Sequence, residues 1–152
     1  MKFFALLTLA AMPLAACASH APTTASPSAA AAGTPSVADQ LANGRSIFLR
    51  GRDTDGIAIH AQPPALHPSC AACHRENGAG GVHLPGGAVS ADLRRSALVA
   101  GQRHPYTIAL LGRAISTGID NDGEPLNRVM PRWRLSERDL HDVAFYVLNQ
   151  LK

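Results

Sequence analysis

Cys70-Ala71-Ala72-Cys73-His74 is the stretch that decides how this chain folds, because it brings two thiols and an imidazole close together. Two cysteines three positions apart, with a histidine directly after the second, form the pattern for covalent attachment of c-type haem. The thiols add across the two vinyl groups of one porphyrin, and the histidine binds the iron as an axial ligand. We therefore predict one covalently bound haem c, attached at Cys70 and Cys73, with His74 as an iron ligand.

The methionines and the remaining histidines are the candidates for a second axial ligand of the iron. Met1 and Met12 lie in a predicted signal segment, so Met130 is the one methionine of the mature chain. Pro131 follows it in a predicted loop before the last helix. Thioether sulfur suits low-spin haem iron, and histidine/methionine ligation raises the reduction potential. We predict Met130 as the second ligand, with His83 of the glycine-rich loop as the alternative.

The N-terminus reads as a bacterial export signal. A basic start and a short apolar run precede small residues, and the run is shorter than the roughly 20 residues that span a bilayer. Leu14-Ala15-Ala16-Cys17 resembles a lipoprotein processing box. We predict a signal peptide over 1–16, a lipidated Cys17 with a flexible Ala/Ser/Thr/Pro tether over 17–36, and the folded domain over 37–152. The alternative is an ordinary cleaved signal and a soluble periplasmic protein.

Three helices and one hairpin are predicted in the folded part. The first runs from Val37 to Leu49 behind the N-cap Ser36, with Val37, Leu41, Gly44 and Phe48 on one face. Gly44 predicts a close crossing with the C-terminal helix. A second helix starts at Pro105 and ends near Thr117, with Gly118 as the stop signal. The last follows the cap Ser136, and residues 53–60 predict a small hairpin around Asp55-Gly56.

Residues from about 37 to 152 resemble a small class I monohaem cytochrome c domain. The resemblance is carried by Gly44 and Phe48, the Cys70–His74 motif, the glycine-rich loop behind it, Met130-Pro131 and the aromatic-bearing last helix. It implies an all-α fold of three to four helices around one covalent haem, with a possible small β-hairpin insert.

The resemblance also implies contacts around the haem. A proline after the motif usually offers its carbonyl to the ring N–H of the proximal histidine, and Pro85 is the only candidate here. Trp133, with Arg132 and Arg134 on either side, is expected to hydrogen-bond or neutralise the haem propionates.

A haem with both axial positions filled favours an electron carrier over an enzyme. The partners are then redox proteins of unknown identity, and the membrane through Cys17. Ala18 in place of aspartate favours the outer membrane. A formal charge of +3 with dispersed arginines argues against nucleic acid. Alternatives are a haem-based sensor of small ligands, a redox subunit of a dehydrogenase, oxidase or peroxidase system, a thioredoxin-like dithiol and a zinc site.

Overall fold

The first helix, α1, spans Val37–Arg50 and begins at the predicted cap. In this computed structural model, which describes residues 34–152, Asp39 N donates to the Ser36 side chain and Ser36 N donates to the Asp39 carboxylate. This capping box gives partners to two backbone donors that a helix start leaves free. The predicted signal peptide, Cys17 and residues 18–33 of the predicted tether lie outside the described residues.

Helix α1 crosses the C-terminal helix at Gly44, as the sequence predicts. A Cβ at Gly44 would lie 2.1 Å from Asp142 O and 2.6 Å from Tyr146 Cβ. One turn further along, the ring centroid of Phe48 lies 5.7 Å from that of Tyr146. The prediction that Val37 shares this buried face is wrong. Val37 is 61% exposed, because it lies in the first turn, about two turns before the crossing.

Gly44→Ala is expected to lower the stability of the folded protein. The added methyl group would overlap with backbone atoms that cannot rotate away, and overpacking of a core costs about 1–3 kcal/mol. Gly112→Ala is the matched control, since a Cβ at this helical glycine would meet Leu140 at an ordinary 3.4 Å. Thermal unfolding followed by circular dichroism measures both. A Gly44→Ala midpoint at or above that of Gly112→Ala would contradict the close crossing.

A buried polar network, which the sequence analysis did not predict, joins the same two helices. The amide nitrogen of fully buried Asn43 donates to Asp139 at 2.8 Å and to Asp142 at 2.9 Å. Its oxygen accepts from Thr54 N at 3.0 Å. Arg138 Nε lies 3.7 Å from Asp142, whose carboxylate is itself buried. Because each buried polar group here has a partner, the network fixes the register of the two helices at little cost.

Two short strands replace the predicted hairpin. Strand β1 (His60–Gln62) pairs antiparallel with β2 (Arg132–Arg134), and Ala61 lies opposite Trp133. Residues 53–57 form only a tight turn closed by an isolated bridge between Arg52 and Ala58. The hairpin prediction is therefore wrong beyond this turn, because the extended segment finds its partner far along the chain. The sheet places the segment before the cysteines beside the segment after Met130.

Of the two remaining predicted helices, one starts at a different residue from the sequence prediction. Helix α2 is the single turn Ala71–His74, α3 spans Ile108–Thr117 and α4 spans Glu137–Gln150. The start of α3 at Pro105 is wrong, because the Thr107 side chain accepts from Leu110 N and caps the helix there. Gly118 ends α3 with φ 73°, as predicted. A 3₁₀ turn (Pro85–Gly87) and a π-helical turn (Ser96–Ala100) lie between α2 and α3.

Helix α4 begins behind the predicted cap Ser136, whose side chain accepts from Asp139 N. Its buried residues include Val143, Ala144 and Val147. Within the described part of the chain, no helix is long and apolar enough to cross a membrane. The helices and the sheet instead enclose one hydrophobic cluster, in which Ile47, Phe48 and Val143 are almost completely buried.

Candidate haem-binding site

A cavity of about 450 Å³ opens beside the helix crossing. Its walls are mainly apolar side chains from α1, α3, α4 and the loops between α2 and α3, among them Phe48, Leu98, Leu111, Ile115 and Val147. This volume lies in the range of about 300–1,000 Å³ that sites for small molecules and cofactors occupy. The cavity is therefore large enough and apolar enough for a planar organic cofactor.

The Cys70–His74 motif lies beside this cavity. Cys70, Cys73 and His74 all line it. Helix α2 groups them, because His74 N and Cys73 N both donate to Cys70 O, at 2.9 and 3.2 Å. Burial raises the pKa of the Cys70 thiol to about 12 and raises that of Cys73 in the same direction. Both sulfurs therefore stay protonated near neutral pH in the folded chain.

The imidazole of His74 is buried and held in one tautomer. His74 Nδ1–H donates to Ala91 O at 2.8 Å, since a carbonyl oxygen only accepts. Nε2 is then the unprotonated nitrogen, which is the form that binds a metal. Burial lowers the pKa of His74, and the bond to Ala91 offsets only part of that effect. The ring is therefore neutral near pH 7.

The carbonyl beside His74 corrects the prediction for Pro85. Pro85 is exposed, begins the 3₁₀ turn and lies outside the residues that line the cavity. Ala91 supplies the carbonyl because its backbone passes directly against Gly80. A Cβ at Gly80 would lie 2.3 Å from Ala91 O, so the glycine at φ 60° permits this approach. The glycine-rich loop thus supports the histidine through the close approach of Gly80 to Ala91.

Met130 lines the same cavity, half-buried, in the segment between α3 and β2. Val129 and Pro131 line it on either side. Met130 N donates to Asn127 O at 3.0 Å, and the Met130 carbonyl accepts from the Arg132 guanidinium. The structure thus brings a thioether, two thiols and a buried imidazole to one cavity.

Trp133 is 5% exposed and also lines the cavity. The neighbouring arginines do not line it, so their predicted contact with propionates is not supported. Arg132 donates to the carbonyls of Leu126 and Met130, and exposed Arg134 donates to the Gln62 side chain. Both guanidinium groups therefore have acceptors within the protein.

Of His83 and His67, the structure places at the cavity the one that was not predicted as a ligand. His83, the predicted rival ligand, is exposed, bridges to Val89 and lies outside the cavity lining. Exposed His67 does line the cavity. The sequence feature that could have indicated a place for His67 at the cavity is its position three residues before Cys70. Surface histidines at such positions are common, so the feature is weak.

A polar rim completes the cavity, and the sequence analysis missed it. Asp120, Asn121 and Asp122 line one side together with Gln102 and Tyr106. The Asn121 side chain donates to His104 O at 2.6 Å, and His104 Nδ1 lies 2.5 Å from Asp122. Burial raises the pKa of Tyr106, so its hydroxyl remains a hydrogen-bond donor.

The residues present fit a covalently attached haem. An apolar cavity suits the porphyrin, two thiols suit its vinyl groups, and a neutral imidazole and a thioether suit iron. Among residues 34–152, no group of three or more histidine, cysteine or acidic side chains that could hold a metal ion is found.

Comparison with known proteins agrees with this donor set. The family model described as "Cytochrome c" matches residues 53–150, which is more than half of the chain. Searches of curated proteins and of solved structures found no significant match. The matched range includes Cys70, Cys73, His74 and Met130, and all the cavity-lining residues that lie between them in the sequence. The chain therefore belongs to the cytochrome c family, whose members transfer electrons through covalently bound haem c.

Proposed function

We propose that this protein is a periplasmic monohaem cytochrome that carries single electrons between redox proteins through a histidine/methionine-ligated haem. One observation carries the proposal. The cavity that Cys70, Cys73 and His74 line is also lined by Met130, the one methionine left after the predicted signal. Two thiols and two axial donor side chains therefore belong to one site.

Each residue has a definite part in this proposal. Cys70 and Cys73 would form the thioether bonds to the haem, and His74 Nε2 would bind the iron while Ala91 O holds the ring orientation. Met130 Sδ would be the second iron ligand. Trp133 also lines the cavity, and its indole N–H would suit a propionate oxygen. When bound, haem c supplies reversible one-electron chemistry at its iron.

Filled axial positions favour electron transfer over catalysis and sensing. A peroxidase or a gas sensor needs an iron with an open or easily opened position. Here Met130 lines the cavity, its N–H donates to Asn127 O, and its carbonyl accepts from the Arg132 side chain of β2. A firmly bound thioether leaves the surroundings of the iron nearly unchanged between oxidation states, which suits rapid electron exchange.

The thioredoxin-like alternative is disfavoured by the thiols themselves. Redox-active Cys-X-X-Cys pairs depend on a thiol with a lowered pKa, about 3.5–7.5. Burial instead raises the pKa of both Cys70 and Cys73, so neither is a ready nucleophile in the folded chain. Their proposed use is in bonds to the haem vinyl groups.

Redox titration of the purified holoprotein tests the proposed function. We expect a single one-electron step that is fully reversible, with no binding of carbon monoxide by the reduced protein. Rapid carbon monoxide binding by the unaltered protein would favour the sensor instead. Turnover of hydrogen peroxide at rates typical of enzymes would favour the peroxidase system.

Membrane attachment through Cys17 is part of the proposal. Cys17→Ser removes the thiol that would carry the acyl chains, and one or more such chains are the only membrane contact proposed for the protein. We expect the variant in the soluble periplasmic fraction and the unaltered protein in the membrane fraction. Ser19→Ala is the matched control and should stay with the membrane. Equal membrane binding of all three proteins would contradict lipidation.

A further inference from the structure

The loop that carries Met130 has few backbone hydrogen bonds of its own near the methionine. We call residues 119–131 the methionine loop; it leaves α3 at Gly118 and enters β2 at Arg132. Its first half is closed by Leu126 N donating to Gly118 O at 2.8 Å and by an isolated bridge between Ile119 and Pro125. Beyond Leu126, the backbone–backbone hydrogen bond within the described loop is the one that Met130 N donates to Asn127 O.

The side chain of Arg132 bridges the two ends of this weakly paired half. Arg132 Nη2 donates to Leu126 O at 3.1 Å, and Nη1 donates to Met130 O. A guanidinium group is a rigid fork, so one side chain fixes both carbonyls relative to each other. Hydrogen bonds from a charged donor are also stronger than neutral ones.

Gly118 provides the space in which this guanidinium group lies. A Cβ at Gly118 would lie 1.8 Å from Arg132 Nε and 1.9 Å from Cζ. Glycine at φ 73° thus ends α3 and at the same time lets the guanidinium group pack on the backbone. The end of α3, the methionine loop and the first residue of β2 meet at this one contact.

We propose that Arg132 is a positioning residue that holds Met130 on the haem iron by bonding the carbonyls of Met130 and Leu126 across Gly118. The proposal rests on the proposed ligation by Met130. Arg132 itself lies outside the cavity lining and acts only through the loop. Release of the thioether requires the segment 127–131 to move, and the fork opposes that movement at both ends.

Binding of added imidazole to the oxidised protein measures how often Met130 leaves the iron. Arg132→Gln keeps a polar side chain but loses the charged fork, and we expect about tenfold faster binding, or more, from the loss of two charge-assisted hydrogen bonds. Arg132→Lys keeps the charge on a single point donor and should give an intermediate rate. Arg134→Gln is the matched control, because it removes an exposed charge from the same strand without touching the loop.

Two further variants separate positioning from a general loss of structure. Gly118→Ala leaves Arg132 in place but fills its space, so it should also speed imidazole binding. In a Met130→Ala background the iron is already open, so adding Arg132→Gln should change the binding rate less than twofold. Circular dichroism of each holoprotein monitors the fold, and Arg132→Lys and Gly118→Ala keep the test valid if Arg132→Gln does not fold.

The possible results are distinguishable. Rates for Arg132→Gln and Gly118→Ala equal to that of Arg134→Gln would overturn the positioning role while leaving ligation by Met130 intact. A rise that persists in the Met130→Ala background would overturn it too, since the arginine would then act by another route. If Met130→Ala alone leaves imidazole binding unchanged, the proposed ligation by Met130 is contradicted, and the positioning role of Arg132 is contradicted with it.

Discussion

Met130→Ala protein is expected to retain its covalent haem, to bind carbon monoxide when reduced, and to have a lower reduction potential. The thioether is removed from the cavity, while Cys70, Cys73 and His74 are left in place. Methionine ligation raises the potential, and axial ligands span about 0.8 V across haem proteins, so we expect a fall on the order of a tenth of a volt or more. Spectroelectrochemistry and carbon monoxide difference spectra provide the two measurements.

Val129→Ala is the matched control for this variant. Val129 lines the same cavity one residue earlier and is also half-buried, but it has no donor atom. Its truncation should leave the potential and the closed iron nearly unchanged. If Met130→Ala behaved like Val129→Ala, Met130 would not be the ligand, and exposed His67 would be the next cavity-lining residue to test.

The Cys70→Ser/Cys73→Ser double variant is expected to lose covalent haem completely. Serine hydroxyls do not add to the vinyl groups, so haem staining after denaturing electrophoresis should disappear. The apolar cavity beside the core would then be left to water, and near-ultraviolet circular dichroism should show loss of fixed packing around Trp133 and Tyr106.

Ala72→Ser provides the control for the double variant. Ala72 lies between the two cysteines and is exposed, so serine there changes the motif without removing a thiol. Haem staining should match that of the unaltered protein. Covalent haem in the double variant, or its loss in Ala72→Ser, would contradict attachment through Cys70 and Cys73.

The features predicted well from the sequence are those with local causes. Ser36 and Ser136 cap their helices through bonds three residues away, and Gly118 stops α3 because glycine readily adopts a positive φ. Gly44 marked the helix crossing because a buried glycine in a helix otherwise only weakens it. The all-α cytochrome c fold, expected from the resemblance, is confirmed by the family match.

The features missed depend on contacts between distant residues. Because every residue has a backbone carbonyl, the sequence does not indicate that Ala91, and not Pro85, is the hydrogen-bond partner of His74. The three-residue strands β1 and β2 are too short to show alternation, and their pairing joins distant segments. Arg132 was expected at the propionates, because a sequence does not show which acceptors a guanidinium group meets first.

Haem attachment and methionine ligation are both tested by the absorption spectrum of the purified, processed protein, taken oxidised and reduced and combined with a pyridine haemochrome assay. We expect one haem c per chain and, in the oxidised form, the weak near-infrared band of sulfur bound to ferric iron, supplied here by Met130. A colourless protein from a host with working haem-attachment machinery, or haem c without that band, would contradict this expectation.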